Sequence, residues 1–76
     1  MLKGTRTAIL KKIQPVSIHG QVSYDVHYVF VEDDEERTQV ARVGREDVAL
    51  GLEPGDRVTL EILLNQVVRV ARASGD

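Results

Sequence analysis

The chain has 76 residues, no cysteine, and a formal net charge of −2. A length like this makes one domain, residues 1–76, which buries only about 60% of the surface its unfolded chain exposes. The lack of cysteine excludes a disulfide framework, a thiolate zinc site and a cysteine nucleophile, and fits a cytoplasmic location. No apolar run approaches the roughly 20 residues that span a bilayer, and MLKGTRTAILKK lacks the long apolar stretch of a signal peptide, so no membrane partner is expected.

In chain order, residues 5–13 (TRTAILKKI) are rich in β-formers and bounded by Gly4 and Pro15, which predicts a first strand. Its alternation is not clean: either Ile9 and Ile13, or Ala8 and Leu10, face inward. Residues 14–20 (QPVSIHG) carry proline, serine and glycine and read as a loop. Residues 21–32 alternate with period two. Val22, Tyr24, Val26, Tyr28 and Phe30 share one face, while Ser23, Asp25 and His27, joined by Val29 and Val31, share the other. The far end of this strand is apolar on both faces, so something should cover Val29 and Val31.

The run EDDEE, residues 32–36, reads as a solvated acidic turn into a third strand at 37–43. Between Gly44 and Gly51 the local pattern predicts a short helix over 45–50, with Gly51 as its left-handed cap. Pro54-Gly55 reads as a type II turn, proline presetting φ and glycine accepting positive φ. A fourth strand at 56–64 places Val58, Leu60, Ile62 and Leu64 inward. Asn65-Gln66 turns the chain into a fifth strand ending at Arg72, with Val68 and Val70 inward. Residues 73–76 should fray.

This order, β-β-β-short helix-β-β, predicts an all-β fold, a small five-stranded OB-like barrel. Five short antiparallel strands bury a shared core and hide their edges best by curling into a barrel. SH3-like barrels and a three-stranded sheet with a crossing tail are the alternatives.

The string Gly55, Asp56, Arg57, Val58, Thr59, Leu60, Glu61, followed by a turn and Val67, Val68, Arg69, Val70, resembles the S1-like branch of OB-folds. That branch includes the family of bacterial translation initiation factor one. The resemblance covers about a third of the chain and implies a nucleic-acid-binding barrel. Residues 50–72 also resemble AbrB-type swapped-hairpin regulators, which implies an obligate DNA-binding dimer, although the helix segment lacks that family's proline.

Functional expectations follow from charge and from side-chain type. Without the five acids of the EDDEE run, seven acids remain against ten basic residues, a net of +3, so a polyanion could meet a basic face while the acidic turn points away. On an OB-type face over strands two and three, Lys11, Lys12, His27, Arg37, Arg42 and Arg69 are the candidates for phosphate contact with RNA or single-stranded DNA. Ser23, Gln39, the 14–20 loop and Asn65-Gln66 border that face. Asp25 sits in its middle and would repel phosphate; the arginines could instead pair with Asp25, Glu61 and the acidic turn. Tyr24, Tyr28 and Phe30 either stack bases or fill the core, and their shared face with Val22 and Val26 favours the core.

No catalytic constellation stands out, and the expectation is a non-enzymatic domain with no cofactor. His19, Asp25 and His27 lack a further metal ligand, EDDEE lacks a calcium-loop pattern, and Ser17 has neither base nor nucleophile elbow. The alternative to nucleic acid is a protein partner or self-association, through an exposed strand edge or the Val29 and Val31 patch.

Overall fold

The computed structural model describes residues 3–73; of the tail expected to fray, residues 74–76 lie outside this span. Five strands, β1 (Lys3–Ile18), β2 (Gln21–Phe30), β3 (Gln39–Gly44), β4 (Arg57–Leu63) and β5 (Gln66–Arg72), form one antiparallel sheet in the order β3-β2-β1-β4-β5. The two outer strands, β3 and β5, also lie against each other, so the sheet curls into an OB-like barrel. No hydrogen-bonded ladder joins β3 to β5 among the described residues, so the sheet itself is not closed at this seam.

The core is small and aliphatic. Leu10, Leu60, Val26, Val58 and Val70 are its largest fully buried side chains, with Ala8, Tyr28, Phe30, Val43, Val48 and Leu52 around them. Tyr28 and Phe30 meet edge to face, their centroids 5.1 Å apart, and so belong to the interior.

Several boundaries differ from expectation, each for a physical reason. The first strand runs on through residues 14–18 to a two-residue turn at His19 and Gly20, both at positive φ. Proline is tolerated there because β1 beyond Leu10 pairs only with β2 among the described residues. Its other edge needs no N–H from Pro15. The expected helix over 45–50 is a single 3-10 turn at Arg45–Asp47. Val48 then bridges to Val70, and the amide of Ala49 donates to the Val70 carbonyl at 2.9 Å. Gly51, at φ +77, therefore serves a separate turn.

Two bulges reset the side-chain parity. In β1 the register jumps between Leu10, opposite Tyr28, and Lys12, opposite His27, leaving Lys11 as the extra residue. Ala8 and Leu10 face inward before it and Ile13 packs on the core after it, which is why no single alternation fits this strand. In β5 the extra residue is Val68, so Val67 joins Val70 against the core. Leu64, expected inward, is 61% exposed in the β4–β5 turn.

The Glu53-Pro54-Gly55-Asp56 turn is built as its residues predict. Asp56 N–H donates to the Glu53 carbonyl at 3.0 Å, Gly55 takes φ +96, and the Asp56 carboxylate accepts the Glu53 N–H at 2.9 Å. Arg72 reaches over from β5 to the Asp56 carboxylate and the Leu50 carbonyl, at 3.4 and 3.1 Å. The turn also grips β1: Gly55 N–H donates to the Leu10 carbonyl at 2.7 Å, and Leu10 N–H donates to the Asp56 carbonyl at 2.9 Å. These bonds fall immediately before the bulge, so the turn and the bulge form one unit.

Candidate functional site

The described cations divide into paired and unpaired sets. Arg42 grips Asp25 across the β2–β3 pair with two hydrogen bonds, at 2.8 and 3.2 Å. Its guanidinium holds the Asp25 carboxyl below the ordinary aspartate range. Arg37 is bound to Asp33 at 3.1 Å and lies 3.5 Å from Glu35. Arg6 lies 3.6 Å over the Phe30 ring and 3.7 Å from Glu32, and Arg72 is held by Asp56. Among the described residues, Lys11, Lys12, Arg45, Arg57 and Arg69 make no ion pair.

The six residues selected for phosphate contact thus separate. Lys12 stands opposite His27 on the outer face, and Lys11 is its neighbour in the bulge. Arg37 and Arg42 are engaged by carboxylates. Arg69 lies on β5 opposite Glu61, with β4 between its strand and β1. Of the flanking positions, Ser23 lies on β2, and the 14–20 segment is strand and hairpin turn, not a binding loop. Gln39, Asn65 and Gln66 border a different cleft of about 420 Å³ at the β3–β5 seam.

Two of the five cations without an ion pair among the described residues, Lys11 and Arg57, line one cleft beside the expected face. Arg57 of β4 pairs with Ile9 of β1, and Ile9 pairs with Val29 of β2, forming a row across three strands. Lys11 bulges out beside this row, and the turn after β2 follows on its far side. Together they line a cleft of about 410 Å³ with a floor of Ile9, Val29, Phe30 and Val31. Val29 is covered, only 6% exposed, while Val31 is 44% exposed.

The acidic turn is solvated at four of its five acids, Asp33 excepted, but it does not point away from the cations. Asp33 accepts the N–H groups of Glu35 and Arg37 at 3.0 and 3.1 Å, and its side chain is only 8% exposed. The Arg37 side chain and these amides hold its carboxyl below the ordinary range. Glu36 N–H donates to the Asp33 carbonyl at 3.0 Å, which locks Glu36 at φ +53. Asp34 and Glu36 line the same cleft as Lys11 and Arg57, and neither makes an ion pair among the described residues.

Sequence reasoning missed Arg57, because an arginine after Gly-Asp reads as turn chemistry, and missed the proximity of the acidic turn. The β1–β4 register, which joins residues distant in sequence, brings Arg57 to the place where the β1–β2 register brings the acidic turn. His19 sits in the hairpin turn, Asp25 is committed to Arg42, and no cluster of three or more candidate metal ligands occurs among the described residues. No described helix is long and apolar enough to cross a membrane. Comparison with protein-family models, with curated proteins and with solved structures finds no match.

Proposed function

We propose that the chain is a non-enzymatic interaction domain that docks a protein segment on the outer face of the barrel, at the β1 bulge. The reading rests on one observation: two cations, Lys11 and Arg57, and two carboxylates, Asp34 and Glu36, none of them in an ion pair among the described residues, border one apolar-floored cleft. A protein segment carries both signs of charge together with aliphatic side chains, and so suits all three parts of that surface. A polynucleotide would set its phosphates beside Asp34 and Glu36. Tyr24 and Tyr28 pack on or against the core, and Phe30, which reaches the cleft floor, is buried with Arg6 over its ring, so none of the three offers an open stacking platform.

A second reading keeps RNA or single-stranded DNA as the ligand. It is favoured by the contiguity of Lys11 and Lys12 with Arg57 nearby, all without ion pairs among the described residues. Such binding would run on phosphate contacts alone and weaken steeply with salt. Fluorescence anisotropy of labelled oligo(U) and oligo(dT) over a salt series separates the two. The expected result is no saturable binding at low salt. Saturable, salt-steep binding that disappears in Lys11→Glu/Lys12→Glu overturns the protein reading in favour of nucleic acid.

A further inference from the structure

Building on the protein-docking reading, we infer that the cleft takes an extended peptide segment with an acidic side chain toward one end, a basic one toward the other, and aliphatic side chains between. The charge order follows from the row Arg57–Ile9–Val29, which crosses β4, β1 and β2 in turn. Lys11 and Arg57 supply positive charge from the β1–β4 side. Asp34 and Glu36 supply negative charge from the turn that follows β2. Two strand spacings of about 4.8 Å each put Arg57 about 10 Å from Val29, and the acidic turn begins just beyond the end of that strand. An extended chain advancing about 3.3 Å per residue covers that distance in about three residues. Ile9 and Val31 then receive the side chains between the charges, over a buried Val29.

Two further features agree with a prearranged site. The bulge at Lys11 turns an extra side chain out of the sheet, a device that re-aims residues at binding sites. Glu36 is kept in the left-handed region at φ +53 by its bond to the Asp33 carbonyl, although glycine would adopt that conformation more readily.

The test is methyl NMR on the full chain, following Ile9, Val29 and Val31 during titration with blocked peptides. One peptide carries Glu-Val-Val-Lys, one the reverse order, one Glu-Val-Val-Glu, one Lys-Val-Val-Lys, and oligo(dT) is titrated separately. Saturable shifts are expected with one of the mixed-charge peptides, about fivefold tighter than with either same-charge peptide. Lys11→Glu/Arg57→Glu should abolish that preference, and Asp34→Lys/Glu36→Lys should turn it toward the all-acidic peptide. Equal or tighter binding of a same-charge peptide overturns the inference and leaves the docking reading standing. Shifts with oligo(dT) alone, or with no probe at all, overturn both.

Discussion

Among the described residues, four other than glycine adopt positive φ, and their side chains tell two different stories. His19 is followed by Gly20, a pairing suited to a two-residue hairpin turn. Leu64 and Asn65, at φ +52 and +66, form the other such turn, but leucine is a poor occupant of the first position. Leu64 is also 61% exposed, so it returns little burial for that strain. Leu64→Asn should therefore stabilise the domain by about 0.5–1 kcal/mol, raising the thermal midpoint by several degrees in a calorimetric scan. Glu36 at φ +53 is the contrasting case, because its side chain lines the charged cleft. Relief of strain there by glycine removes a carboxylate from the proposed docking surface, whereas the leucine exchange leaves that cleft intact.

Among the elements, the strands were legible wherever one chain's own alternation decides which face is buried. β2, β4 and β5 lie close to their expected spans, and the turn at Pro54-Gly55 follows from its residues. The bulges at Lys11 and Val68 were not legible, since a bulge exists only relative to a partner strand. Pro15 misled for a related reason: its loop signal holds in a central strand and lapses at a free edge. The site was legible in its parts, with Lys11 and the Val29 and Val31 patch singled out, but its composition depends on pairings between β1 and β4. The acidic turn shows the same limit, as its five acids look equivalent in sequence while Asp33 alone folds the loop. Both Asp25 and Asp33 lie below the ordinary aspartate value of 3.8, so the unfolded chain takes up their protons first as pH falls. Their stabilising effect is complete above about pH 4 and is lost as pH drops through the lowered folded values. Asp33→Asn should accordingly flatten the acid limb of a stability–pH profile and speed amide exchange at Glu35 and Arg37.

As a whole molecule, this domain rests on few large side chains. Leu10 is fully buried, and its backbone bonds to the Gly55-Asp56 turn while its side chain faces Tyr28 across the sheet. Leu10→Ala should cost about 2–5 kcal/mol. A domain of this length has roughly 4–11 kcal/mol of stability in total, from about 0.05–0.15 kcal/mol per residue. Chemical denaturation should show the midpoint falling sharply, with a substantial unfolded fraction at 37 °C. By contrast, the paired guanidiniums on the outside, such as Arg42 on Asp25, hold exposed geometry more than they hold the fold.

Pro15 has a consequence for how copies of this chain meet one another. The second half of β1 presents Val16 and Ile18 along an edge that no described strand covers, and Ile18 is 43% exposed. An uninterrupted edge of that kind is a template on which a neighbouring copy could lay down a further strand, and then another. The pyrrolidine ring breaks the template near its middle by withholding one donor and holding the backbone out of a flat ladder. A single residue that resembles a loop marker thus acts as a guard against polymerisation.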